Sequence, residues 1–270
     1  MLTVDVQGIS IPKLGFGTYK ASGAECASAV ELALRTGYRH IDTAQGYGNE
    51  QEVGEGIKQS SVDRSELFVT TKLDDPNHSA ERVRSSTEES LRTLDMDFVD
   101  LLLIHWPGED VGHAETLDAM RGLADDGLIR SYGVSNFTPS QVREAANHAP
   151  IVANQVEYHP LLDQTELLEL AREYDHMLTA YSPIARGKVA DEQVMKEIAE
   201  EHDTSPMVVA LRWLLQQENV SAIPKASSAE HIESNFTALD IELSDAQMRR
   251  IDGLSKGERL VDPSGFDWER

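Results

Sequence analysis

Eight short runs rich in apolar and β-branched residues, separated by amphipathic stretches, set the tightest limit on what this chain can fold into. The runs are KLGFGTY (13–19), RHIDTA (39–44), LFVTTKL (67–73), FVDLLLIHW (98–106), IRSYGVSNF (129–137), IVANQVEY (151–158), MLTAYSP (177–183) and VSAIPKA (220–226). Between them, windows such as GAECASAVELALRTG, SAERVRSSTEESLRTLD and QTELLELAREYD carry apolar residues at i, i+3, i+4 and i+7, the helical period. A nearly continuous apolar run such as FVDLLLIHW suits a strand buried on both faces, hence a parallel sheet covered by helices. Eight such units in about 250 residues predict an α/β fold, a closed (β/α)8 TIM barrel rather than an open sheet. No linker or shift in composition divides the chain, so residues 1–270 are expected to form one domain. Ahead of the first unit, LTVDVQGISIP alternates around Gly8 and predicts an N-terminal hairpin able to plug the barrel floor. Near the other end, SDAQMRRIDGLS begins with Ser244 as an N-cap and predicts an extra C-terminal helix.

Composition narrows the function. The 47 acids outnumber the 24 bases for a net charge of −23, and arginine (16) exceeds lysine (8). Nothing here neutralises phosphates along a groove, so nucleic acid is excluded as a partner. The acidity is spread along the whole chain and fits a surface adapted to a cytoplasm of multimolar salt, where screening quiets self-repulsion. An acidic mesophilic enzyme is the other reading. A single cysteine, Cys26, leaves no intrachain disulfide and no cysteine cluster for a metal. Without a run of about 18 apolar residues or a signal-peptide layout, the expectation is a cytoplasmic monomer that does not engage membranes.

In such a barrel the chemistry sits at the C-terminal ends of the strands. Reading only those ends returns Asp42, Lys72, His105, Ser135 with Asn136, Gln155, Tyr181 with Ser182, and Lys225. A buried Asp and Lys at neighbouring strand tips each cost several kcal/mol unless paired. Their pairing supplies a reason for Tyr47, five residues past Asp42. A phenol is a poor proton donor at neutral pH, whereas a lysine ammonium beside it favours phenolate and is expected to lower its pKa. A carboxylate beyond the lysine holds that ammonium charged. His105, one strand further on, is placed to hydrogen-bond the same substrate oxygen.

The pieces GFGTY, GYRHIDTA followed by Tyr47 and NE, TTK, LLLIHWP, IRSYGVSNF, NQVEYHP, AYSPIARG and IPK with HIESNF, in this order and spacing, resemble the aldo-keto reductase family over nearly the whole chain. The likeness is to prokaryotic members similar to 2,5-diketogluconate reductases. It implies a reductase of aldehydes or ketones that uses NADPH without a GxGxxG motif, NAD being possible, and that needs no metal. Tyr47 would be the general acid, tuned by Asp42 and Lys72, with His105 orienting a small carbonyl substrate. For the cofactor it implies Gly17, Thr18 and Tyr19 in the first loop, Ser135, Asn136 and Gln155 at the nicotinamide carboxamide, and Tyr181 under the ring. Ser182 and Pro183 would approach the pyrophosphate, Lys225, Ser227, Ser228 and His231 the 2′-phosphate, and Asn235 the adenine. Tyr19, Trp106, His105 and Asp74 would line the substrate pocket.

Departures stand out in three places: the cofactor-binding end at His231 and Ser234, the loop after Lys72, and the C-terminal tail. His231 replaces a usual arginine, and Ser234 stands where an acidic residue often meets adenine. LDDPNH after Lys72 lacks a tryptophan found in many relatives, so Asp74 and Asp75 imply a more open, less apolar pocket. The tail GERLVDPSGFDWER is short, although Trp268 is able to fold back over the pocket. Two other functions remain open from these residues: a cofactor-binding, redox-sensing subunit with negligible turnover, and a barrel enzyme using the strand-eight anion site for a phosphorylated substrate.

Overall fold

A computed structural model of the chain describes residues 2–108, 112–263 and 266–268. The N-terminal segment turns back on itself, β1 (Thr3–Val6) pairing antiparallel with β2 (Ile9–Pro12). Gln7 and Gly8 at the turn both have positive φ, 49° and 79°, the two-residue geometry that matches strand twist. Val4, Val6 and Ile11 pack with Phe68, Leu101, Leu103, Ala153 and Met177 in a cluster of their own. Phe68 and Met177 open their strands, so the hairpin closes the floor of the barrel as expected.

Eight parallel strands follow: β3 (Phe16–Gly17), β4 (His40–Asp42), β5 (Phe68–Leu73), β6 (Val99–Ile104), β7 (Ile129–Ser135), β8 (Ala153–Glu157), β9 (Met177–Tyr181) and β10 (Val220–Ala222). Each pairs with its neighbour in sequence. The circle closes where Gly15 N–H donates to Ala222 O (2.9 Å), Ala222 N–H to Lys13 O (2.8 Å) and Gly17 N–H to Pro224 O (3.1 Å). Glycine is what permits this approach, since a Cβ on Gly17 would stand 2.8 Å from Ile223 O.

Helices α1 (Gly23–Thr36), α2 (Glu50–Ser60), α3 (Ala80–Leu94), α4 (His113–Asp125), α5 (Pro139–His148), α6 (Thr165–Glu173), α8 (Pro206–Gln216) and α9 (Ala229–Phe236) cover the sheet. β5 and β6 are buried along their whole length, and Leu102 and Ile104 join the main core beneath the helices. Each such side chain contributes about 1.5–3 kcal/mol through burial. The extra C-terminal helix is present as α10 (Asp245–Asp252), with Ser244 in a capping box with Gln247. A further helix, α7 (Gln193–Glu201), lies between β9 and α8 and was not anticipated; it buries Met195, Ile198 and Ala199. The strands are shorter than the apolar runs, which lose residues at either end: β5 omits only Leu67, whereas β10 omits the last four residues of its run. No described helix is long and apolar enough to cross a membrane.

Candidate active site

Asp42 ends β4, and the residues after it are tied down tightly. Asn49 accepts from the Thr43 hydroxyl (2.9 Å) and donates to the carbonyls of Thr18 and Ala21 (both 2.9 Å). Gln45 donates to Ser90 Oγ (3.1 Å) and accepts from Asp74 N–H (3.0 Å) and Asn77 Nδ2 (2.9 Å), which joins this loop to the one after β5. Between the two anchors, residues Gln45–Tyr47 form one 3-10 turn, ended by Gly48 in the left-handed region (φ 64°). That turn presents Tyr47 to the barrel mouth.

Lys72, fully buried on β5, donates to Asp42 Oδ1 (2.6 Å), to Thr43 O (2.7 Å) and to the Tyr47 hydroxyl (3.4 Å). Asp42 spends its other oxygen on Gln155 Nε2 (2.7 Å). Burial is the largest single influence on Lys72 and would lower its pKa, but the Asp42 carboxylate and the Tyr47 oxygen together outweigh it and hold the ammonium above its ordinary value. Burial raises the Tyr47 phenol, and the opposing pull of Lys72 does not overcome it. The expected net lowering of the Tyr47 pKa is therefore corrected: Lys72 acts in the expected direction against a larger desolvation. The Tyr47 ring lies 5.1 Å from that of Tyr19 and 5.6 Å from that of His105, edge-on to the latter. Burial, then the Lys72 ammonium, pushes the His105 pKa down to about 3, so its imidazole is neutral at neutral pH. Its Nδ1 is buried without a hydrogen-bond partner among the described residues.

The polar strand ends meet on the other side of the mouth. Ser135 donates to Gln155 O (2.8 Å), Asn136 Nδ2 to His105 O (3.0 Å), and Tyr181 hydroxyl to Asn136 Oδ1 (2.8 Å). Ser182, Ala185, Arg186 and Gly187 then take positive φ, which bends the chain sharply after β9 and Pro183. Gly17 lies in β3, while Thr18 turns its hydroxyl onto Asp42 O (3.0 Å), so that side chain is committed to the fold. Lys225 contacts Ser227, Ser228 caps α9 by accepting from His231 N–H (3.2 Å), and Asn235 is buried. Lys225, Ser227 and His231 are exposed there.

On the remaining side, Trp106 stands edge-on to Phe266 (5.4 Å) and Trp268 (6.1 Å), so the tail does fold back. Asp74 packs against Gly46, where a Cβ would lie 3.1 Å from its Oδ1. A cavity of about 460 Å³ lined by Phe137, Val156, Gln164, Arg259 and Trp268 opens behind the tail. None of the four residues around the Tyr47 proton lines it.

The Aldo/keto reductase family model matches residues 13–256. The chain belongs to the aldo/keto reductase family. It is 42% identical to glyoxal reductase of Bacillus subtilis (strain 168), covering 94% of this chain and 92% of that one. It is 39% identical to 9,11-endoperoxide prostaglandin H2 reductase of Trypanosoma cruzi (strain CL Brener), over 96% and 93%. A solved structure of a 2,5-diketo-D-gluconic acid reductase B-like protein superposes with a TM-score of 0.96 at 44% identity, over 98% and 95%. The barrel and hairpin are thus those of the aldo/keto reductases, an oxidoreductase family acting on carbonyl groups.

Two residues of this aldo/keto reductase mouth escaped the sequence reading. Glu157, two positions past Gln155 and therefore on the same face of β8, is wholly buried and accepts from the tail. Period-two alternation from Gln155 was signal enough to find it. Arg259 lies 3.6 Å over the Trp268 ring, and no local pattern marks it.

Proposed function

We propose that this protein reduces an aldehyde or ketone to an alcohol with NADPH, Tyr47 giving the proton to the carbonyl oxygen. The observation that carries this reading is the continuous hydrogen-bonded chain from buried Asp42 through buried Lys72 to the half-buried Tyr47 hydroxyl, at 2.6 and 3.4 Å. The residues present fit the cofactor. Gln155 donates to Asp42 through Nε2, which leaves Oε1 as the acceptor it would offer a carboxamide N–H, while Tyr181 would offer its ring and Lys225 with the first turn of α9 an anion cradle. When bound, the nicotinamide supplies the hydride.

The chain's own groups handle the oxygen. His105, neutral because it is buried beside an ammonium, offers a hydrogen bond without competing as an acid. Tyr47 keeps its proton until negative charge develops on the carbonyl oxygen, because burial disfavours phenolate in the resting site. As it ionises, the Lys72 ammonium stabilises the new charge across a short, water-poor path. Lys72 therefore acts on the transition state more than on the resting phenol.

We further read the protein as one barrel domain that acts as a cytoplasmic monomer, with Tyr19, Trp106, His105 and Asp74 facing a small carbonyl. The relatives' names point to substrates as different as glyoxal and a prostaglandin endoperoxide, which suits an open pocket. NADPH consumption with a panel of carbonyls, small dicarbonyls included, tests the reading: turnover supports it, and cofactor binding without turnover would favour the regulatory alternative. The net charge of −23 supports adaptation to high salt. Its expected signature is a melting temperature that climbs as KCl is raised from about 0.1 M to about 2 M, and a flat series would return the chain to the mesophilic class.

A further inference from the structure

Among the described residues after α10 there is no regular secondary structure, yet the segment is fixed at four backbone donors. Lys256 and Glu258 N–H donate to Leu161 O (3.1 and 2.9 Å). Leu260 N–H is shared between Glu157 Oε1 (2.8 Å) and Oε2 (3.1 Å), and Val261 N–H donates to Oε2 (2.8 Å). His159 completes the set. Its Nδ1 accepts from Leu161 N–H (3.3 Å), so Nε2 carries the proton and donates to Glu157 Oε1 (3.0 Å). Every group facing Glu157 in this set is a donor, so an acceptor-only carboxylate fits and an amide does not. Burial would raise the Glu157 pKa, but the hydrogen bonds from His159, Val261 and Leu260 outweigh it and keep the carboxyl below its usual value.

Fixing Leu260 and Val261 also fixes the residues beside them. Arg259 is held under Trp268, which stands against Trp106, the residue after His105. Contacts thus run from Glu157 through the tail to the aromatic edge of the mouth. We propose that Glu157 is a positioning residue for substrate: its carboxylate anchors the C-terminal tail, which holds Trp268 and Trp106 in place as the substrate-side wall. Glu157 itself touches neither carbonyl nor cofactor. The proposal rests on the reductase reading above.

The test uses two variants of the full chain, Glu157→Gln, which sets an amide N–H against the donors, and Val261→Pro, which removes one donor and leaves the barrel untouched. Tail release is read by trypsin cleavage after Lys256 and Arg259, and by tryptophan fluorescence. The wall is read by steady-state kinetics with glyoxal and by NADPH titration. Both variants should be cleaved about tenfold faster and show a KM for glyoxal raised about fivefold or more, with kcat and NADPH affinity within about twofold, the pattern of lost substrate binding. Faster cleavage with unchanged KM overturns the proposal, as does unchanged cleavage in both variants. A wild-type chain that binds NADPH but turns over no carbonyl overturns the reductase reading and this proposal with it. Wild-type turnover with unaltered KM in both variants overturns the proposal alone. If Glu157→Gln fails to fold, Val261→Pro decides.

Discussion

At the barrel mouth Asp42 and Lys72 are almost wholly out of water, while Lys225, Ser227 and His231 stand exposed. Both sites are built at strand ends, yet Asp42, Lys72 and Gln155 of the first are tied to one another, whereas the second is held by one side-chain contact and a helix cap. Burial strengthens each electrostatic interaction and makes each unpaired group costly. The proposed chemistry needs charges fixed before the reaction begins, so it sits where removal of a single partner is severe. The phosphate recognition proposed for the second site concerns an ion that brings its own charge, so it is expected to work at the surface and to tolerate variation such as His231.

The contrast breaks most visibly at Lys72. Lys72→Met leaves the Asp42 carboxylate buried opposite a thioether, and we expect a loss of about 3–5 kcal/mol in urea unfolding. Carbonyl reduction should fall about 10²-fold or more at the same time. A variant as stable as the parent would mean that the pair does not behave as a buried one.

A second effect follows from buried histidines. Burial lowers the pKa of His40 and His176 as well as that of His105, so all three are neutral in the folded protein. Once unfolded they bind protons below about pH 6.5. Their contribution is therefore complete above that value and declines as pH falls toward the folded pKa, which for His105 is about 3. Unfolding free energy should fall between pH 7 and pH 5, by about 1–2 kcal/mol from His105 alone, and His105→Asn should make that slope shallower. A slope identical in the variant would show that His105 is not neutral in the fold.

The smallest effect belongs to the exposed site. His231→Arg replaces an imidazole with a planar guanidinium able to grip a phosphate through two N–H groups, so NADPH should bind about three- to tenfold tighter while NADH affinity stays level. Fluorescence titration at low salt reads both. Equal changes for the two cofactors would place His231 away from the phosphate and leave Lys225 with Ser227 as the anion contacts.

The alternation of apolar runs with helical windows carried the fold, because a parallel strand buried on both faces leaves a pattern within five or six residues. Strand ends were legible for the same reason, and Asp42, Lys72, His105 and Gln155 meet there. What escaped was set by distance. The partner of Gln155 is Asp42, 113 positions away, and the tail partners of Glu157 lie 103 and 104 positions on. The direction of the Tyr47 pKa escaped too, since it depends on how deeply the site is desolvated and not only on Lys72. α7 was missed because it is an extra helix between β9 and α8, where the alternating pattern calls for one.

The central claim is that Tyr47 gives the proton and that the buried pair behind it makes this possible. Its most direct test is the single-turnover rate of hydride transfer from bound NADPH to a carbonyl in Tyr47→Phe, alongside NADPH affinity by titration. The account predicts a rate lowered about 10² to 10⁴-fold with affinity within about twofold, since only the hydroxyl is removed. Hydride transfer at the parent's rate in that variant would contradict it.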